Sequence, residues 1–104
     1  MSALSINLDA TIDFMIGLLN TPSPTGYHVE AIDYVRKAFE TIPGLQLSVT
    51  NKGGLVAFLA GAKHDAPRGV TAHVDTLGLM VKDIKPNGRL KLTMLGGFMW
   101  NAVE

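Results

Sequence analysis

The order of residue patterns along the chain predicts an α/β fold. Three observations carry that expectation. Two stretches with helical apolar spacing come first, strand-length apolar runs follow, and a hairpin pattern around Pro86-Asn87-Gly88 comes after them.

Leu8, Ile12, Met15 and Leu19 recur at intervals of four, three and four, with Phe14 and Leu18 beside the stripe, which predicts a first helix from Asn7 to Asn20. Thr21-Pro22-Ser23-Pro24-Thr25-Gly26 cannot continue it. Each proline lacks an amide donor and disfavours a helical residue before it, so these residues form a loop. Val29, Ile32, Val35, Phe39 and Ile42 predict a second helix over about Tyr27 to Thr41, with Glu30, Asp33, Arg36, Lys37 and Glu40 between them and Pro43-Gly44 as its stop. After Gly44 the period becomes two: Leu45, Leu47 and Val49 alternate with Gln46, Ser48 and Thr50, as in a strand covered on one face.

Leu55 to Ala60 and Gly69 to Val74 lack that alternation and read as strands buried on both faces, the centre of a layered sheet. Gly53-Gly54 leaves no room for a crossover helix between the first two strands, so they pair antiparallel. Leu79, Val81 and Ile84 lead into the turn and Leu90, Leu92 and Met94 lead out, a hairpin whose turn takes its positive φ angles from Asn87 and Gly88. Gly96 to Glu104 is apolar and rich in large side chains. A natural domain rarely ends on an uncovered apolar segment, so the expectation is a fragment of a larger protein.

Composition removes several functions. With 104 residues, 47% apolar and 17% charged, the chain is one small domain or part of one, and disorder is excluded as its main state. Nine basic and nine acidic side chains cancel, and the basic ones are scattered apart from Arg36-Lys37, so neither nucleic acid nor an anionic membrane is a partner. The uncharged stretch Gly53 to Ala62 falls far short of the roughly 20 residues of a membrane span. Met1-Ser2-Ala3-Leu4-Ser5 carries no basic leader, so secretion is not signalled. Zero cysteines rule out disulfides, thiolate zinc and a cysteine nucleophile, and leave His, Asp and Glu to hold any metal.

One constellation carries chemistry. Ala72-His73-Val74-Asp75-Thr76-Leu77-Gly78 places a His and an Asp two residues apart at the carboxyl end of an expected strand, so both side chains face one crevice. A neutral imidazole is a good zinc or cobalt ligand, and a nearby carboxylate orients it and raises its basicity. The tripeptide alone equally fits a strand-end His satisfied by hydrogen bonds, with the Asp opening a turn. The remaining candidates are weaker. His64 beside Asp65 reads as solvated, and His28 as a surface or first-turn residue. Gly53-Gly54 and Gly96-Gly97 lack phosphate-loop spacing, Ser23 and Ser48 lack a nucleophile elbow, and Trp100 with Phe98 lacks basic neighbours for base stacking.

The order of the Ser23-Pro24-Thr25-Gly26 loop, the amphipathic helix, Asn51-Lys52-Gly53-Gly54-Leu55-Val56-Ala57, Ala72-His73-Val74-Asp75-Thr76-Leu77-Gly78-Leu79-Met80-Val81 and Gly96-Gly97-Phe98 resembles the N-terminal part of the tetrahedral (glutamyl or deblocking) aminopeptidases, which are dinuclear metal exopeptidases. The resemblance covers the chain from about Phe14 onward. It implies a partial layered α/β sheet of a zinc-peptidase-like catalytic domain over residues 1–77, and over 78–104 the truncated beginning of an inserted β domain that mediates subunit contacts. It also implies that His73 ligates a metal and that Asp75 has a catalytic role, supporting the metal centre without bridging it. The intact enzyme would use two divalent ions, zinc or cobalt. It would act on peptides with a free N-terminus, form a homo-oligomer through the β domain and work in the cytoplasm.

The family's bridging Asp, its Glu-Glu pair with the general base and its further ligands have no counterpart here, so the chain alone is expected to be inactive and to bind at most one ion, weakly. Two rivals remain at this stage. One is a metal-dependent amidase or deacylase of the broader carboxypeptidase-like clan, against which the run from Asp75 straight into the Pro-Asn-Gly hairpin speaks. The other is a non-catalytic binding or assembly domain in which His73 and Asp75 are structural.

Overall fold

The computed structural model of the chain describes residues 5–63 and 65–102. The expectation for His64 and the last two residues of the apolar tail lie outside them. The α/β class stands: helices α1 (Leu8–Leu19) and α2 (Val29–Glu40) precede strands β1 (Leu45–Val49), β2 (Leu55–Leu59), β3 (Gly78–Ile84) and β4 (Leu90–Leu95), and a single 3-10 turn at Trp100–Ala102 follows. The strands form two separate two-stranded antiparallel sheets, β1-β2 and β3-β4.

Helix α1 starts where Asn7 caps it, its side-chain oxygen accepting from the amide of Ala10 at 3.1 Å. Its packing face differs from the expected stripe. Leu8, Ile12, Met15 and Leu19 are exposed, whereas Phe14, Gly17 and Leu18 are half-buried. Tyr34 of α2 decides this: its ring lies 5.3 Å from that of Phe14, and its hydroxyl donates to the Phe14 carbonyl at 3.4 Å. A glycine adds no hydrophobic signal to the sequence, yet Gly17 is what lets the Tyr34 ring lie on the helix backbone, since a Cβ there would stand 2.0 Å from the Tyr34 hydroxyl. Helix α2 packs on both β1 and β2, and buries Ala31 completely. Its solvent side carries a charge cluster in which Asp33 pairs with Arg36 and Lys37, and Arg36 also with Glu40. The two guanidinium and ammonium partners hold the Asp33 carboxyl below the usual carboxylate range, Lys37 contributing most.

Both hairpins close with the same device. Thr50 donates to the Gly54 carbonyl and accepts from Gly53, and Lys85 donates to the Arg89 carbonyl and accepts from Gly88. Gly53 and Gly88 have φ of 81° and 78°, and no non-glycine residue has positive φ among those described. The expectation that Asn87 shares the positive φ is thus corrected. Pro86 fixes the first turn position near φ −65° and with Asn87 makes a type I turn, after which Gly88 alone takes the left-handed conformation.

In β3 a bulge at Lys82 breaks the alternation. It explains the odd spacing of Leu79, Val81 and Ile84, which the bulge returns to one face opposite Met94, Leu92 and Leu90. Among the described residues no helix or further strand packs against that apolar face.

The central layered sheet does not form. Residues 69–74 belong to no strand, Val70 being 97% exposed, and among the described residues β2 has only β1 beside it and α2 over one face. A pattern of uninterrupted apolar residues reports faces that need cover; nothing among the described residues supplies it for 69–74 or for Val56 and Phe58 on the open side of β2. The surface area measures the shortfall. The chain exposes 9144 Å², against about 5,700 Å² for a compact monomer of its mass, and its radius of gyration of 18.7 Å exceeds the roughly 13 Å of a compact 100-residue domain.

The Tyr34–Gly17 contact gives a sign-specific test. Alanine normally stabilises a helix interior by about 1 kcal/mol over glycine, but Gly17→Ala should here lower stability by roughly 1 kcal/mol because the displaced ring loses its Phe14 contact. In a Tyr34→Ala background the same substitution should become stabilising. Urea midpoints of the four chains measure both signs, and a stabilising Gly17→Ala in the presence of Tyr34 would contradict the contact.

Candidate functional site

The site is built where two segments far apart in sequence cross. The Thr76 amide donates to the Ser23 carbonyl at 2.7 Å, in a short parallel bridge between Pro24 and Thr76. The Tyr27 amide donates to the Pro24 carbonyl at 2.7 Å, closing the loop on itself. Approach is close enough that a Cβ at Gly78 would lie 2.7 Å from that of Pro24, so the segment needs its glycine there. Ser23 is 2% exposed, and its hydroxyl has no hydrogen-bond partner in the structure.

The crossing sets Thr25 beside Asp75. The Thr25 hydroxyl donates to Asp75 Oδ2 at 3.1 Å, and Asp75 Oδ1 lies 2.9 Å from His73 Nδ1. The two-residue spacing of His73 and Asp75 therefore does bring both side chains together, as expected. The chain around them is not the end of a buried strand: residues 69–75 belong to no strand, and Thr76 makes the single bridge to Pro24. The Thr25 hydroxyl first, and then His73, hold the Asp75 carboxyl below the usual carboxylate range. The His73 side chain is 83% exposed, leaving Nε2 open to solvent.

These residues line an open cleft of about 330 Å³ whose other wall is the start of α2 and the β1-β2 turn, with His28, Ile32, Gly54 and Leu55. His28 is half-buried at the N-cap of α2 and makes no side-chain capping bond. Its Nε2 would stand 2.6 Å from a Cβ at Gly53, so the ring fills the space that glycine leaves. The expected place of His28 near the start of the second helix holds, as its N-cap rather than in its first turn, but its position on the cleft wall was not legible. Thr25 was missed as a site residue altogether. The only available signal was its place in Ser23-Pro24-Thr25-Gly26, which local reading classes as a loop.

The donor set fits one position of a metal shell. An imidazole whose Nδ1–H is held by a carboxylate presents Nε2 as a lone pair, the usual arrangement of a ligating histidine. Among the described residues no three His, Asp or Glu side chains converge into a cluster that would hold an ion. Both Asp75 oxygens are engaged, Oδ2 by the Thr25 hydroxyl and Oδ1 by His73 Nδ1.

Comparison with known proteins shows what the chain is similar to. The profile of the M42 glutamyl aminopeptidase family matches residues 53–104, half of the chain, including His73 and Asp75. A protein of Bacillus subtilis (strain 168) named "Putative aminopeptidase YhfE" is 43% identical over 94 residues, covering 90% of this chain and 27% of that protein. The glutamyl aminopeptidase of Lactococcus lactis subsp. cremoris (strain MG1363) is 31% identical over 92 residues, covering 88% of this chain and 25% of its own length. The chain thus spans about a quarter of the length of the curated relatives it matches.

The lowered Asp75 carboxyl fixes the pH response of the site. Its contacts with Thr25 and His73 favour the ionised form, so they are intact above the ordinary carboxyl range near 3.9 and are lost as pH falls through the lowered value. A carbon-13 NMR titration of the Asp75 carboxyl should show a midpoint below 3.9, and Thr25→Val should move it up; an unchanged midpoint would deny the Thr25 contact.

Proposed function

The chain belongs to the M42 glutamyl aminopeptidase family, and from that premise we propose that it carries one metal-ligating histidine, His73, of a metal-dependent aminopeptidase that removes the N-terminal residue of peptides. Residues 1–77 contribute to the catalytic domain in this reading, and residues 78–104 begin a β domain. The observation that carries it is the orientation of His73 by Asp75 in an open cleft, inside the segment that matches the family. Asp75 is the residue that holds the His73 proton at Nδ1. A divalent ion, zinc or cobalt, would supply Lewis-acid polarisation of the scissile carbonyl and lower the pKa of the attacking water. The peptide enters with a free amino group, and the cleft between His28 and His73 is the surface of this chain that would face it.

One histidine and one orienting carboxylate do not make a dinuclear site, which needs shared ligands and a base for the attacking water. The 104-residue chain alone is therefore read as inactive, binding at most one ion. Cytoplasmic residence and homo-oligomerisation belong to the same reading. Support for the second comes from the six-residue apolar face of β3-β4, which no other element among the described residues covers.

Calorimetry with zinc or cobalt should show binding well short of the roughly 10–16 kcal/mol of a complete structural zinc site, reduced by His73→Ala and little changed by His64→Ala. Equal loss from both variants would remove His73 from its role. Turnover of an aminoacyl chromogenic substrate by the chain, abolished by His73→Ala, would show instead that a complete site assembles from these residues.

For the apolar face, light scattering at micromolar concentration should show dimers or larger species, which Val81→Lys with Leu92→Lys shifts to monomer. A monodisperse monomer in the unaltered chain counts against association through the hairpin.

A further inference from the structure

We propose that Thr25 is a positioning residue for His73, acting through Asp75 to fix which ring nitrogen of His73 carries the proton. The three side chains form one linear relay. The Thr25 hydroxyl donates to Asp75 Oδ2 at 3.1 Å, and Asp75 Oδ1 meets His73 Nδ1 at 2.9 Å. A carboxylate bound through one oxygen alone is free to swing about its Cβ–Cγ bond. Engaging Oδ2 from the far side removes that freedom and leaves Oδ1 aimed at the imidazole.

A neutral imidazole has two tautomers, and the hydrogen bond at one nitrogen decides the state of the other. With Nδ1 donating to Asp75, the Nε2 lone pair faces outward into the cleft.

What places the hydroxyl is backbone. Thr25 lies two residues after Ser23 and Asp75 one residue before Thr76, and the Ser23–Thr76 hydrogen bond pins the two segments at that point. Thr25 thus reaches a residue 50 positions away because the crossing delivers it, not because either side chain is long. Gly96 adds a boundary on the other side, since a Cβ there would stand 3.3 Å from the Thr25 hydroxyl. For catalysis the consequence rests on the reading of His73 as a metal ligand; the positioning itself does not.

The test uses the 104-residue chain, labelled with nitrogen-15 at histidine and held at pH 8.5, where an ordinary imidazole is neutral. Two-bond and three-bond correlations within the His73 ring report the tautomer without any metal present. The unaltered chain should show protonated Nδ1 and bare Nε2. Thr25→Val, which keeps the shape and removes the donor, should move the two nitrogen shifts toward each other, as in a free imidazole that exchanges between tautomers, and Thr25→Ser should restore the separation.

Thr25 is exposed, so Thr25→Ala serves as a second donorless variant at small structural risk, with far-UV circular dichroism checking the fold of each. An unaltered His73 pattern in a folded donorless variant would overturn the proposal, as would a mixed or Nε2-protonated tautomer in the parent chain. Failure of zinc to bind would count against His73 as a ligand and leave this result standing, so the two readings fail separately.

Discussion

One backbone hydrogen bond, from Thr76 to the Ser23 carbonyl, organises what this chain holds in common between its parts. On one side of it lies the layer of α1, α2 and the β1-β2 hairpin, and on the other the β3-β4 hairpin, whose backbone stays apart from those elements. The crossing is tight: it needs glycine at 78 against Pro24, and it buries Ser23 as one of only two buried residues among those described. It carries an internal cost as well, because the Ser23 hydroxyl is buried without a partner, an arrangement worth about 1–3 kcal/mol of destabilisation. That cost is tolerated at the single point where Thr25 and Asp75 are brought together.

Local features were legible in the sequence because local forces make them. Both helices, both hairpins, the antiparallel pairing of β1 with β2 and the half-exposed β1 follow from spacing, prolines and turn glycines within a few residues. Even the irregular Leu79, Val81, Ile84 spacing was meaningful, for the Lys82 bulge converts it into one apolar face. Whether a face finds cover was not legible. Leu55 to Ala60 and Gly69 to Val74 have the composition of strands buried on both sides, and hydrophobicity states a requirement without stating where the covering surface comes from. The packing side of α1 was misjudged for a related reason: Gly17 contributes a contact by being absent as a side chain.

The candidate site divides in the same way. His73 and Asp75 could be paired from sequence because two residues is the repeat of extended backbone, and the pairing holds although the strand expected to carry it does not form. Thr25 could not be found, since its partner is 50 residues distant and the bond that joins them depends on the crossing. His28 is an intermediate case: its place at the start of α2 follows from the helix pattern, but its role as a cleft wall depends on a glycine in another hairpin.

A chain that leaves so much apolar surface exposed has little stability to spare, yet its site is locally ordered, and the two facts are compatible. Global stability sums over buried area, which is scarce here. Orientation of an imidazole requires much less, because the two tautomers of a neutral ring lie close in energy and one well-aimed acceptor tips the balance. An exposed Asp75 contributes little to holding the fold, but it can still decide the state of His73 Nε2. It follows that preorganisation of the histidine and completion of the fold are separable. The first is encoded in the Thr25, Asp75 and His73 relay, and the second depends on surfaces that meet the uncovered faces of β2, residues 69–74 and the β3-β4 hairpin. Those surfaces could add stability without having to rotate the imidazole that is already in place.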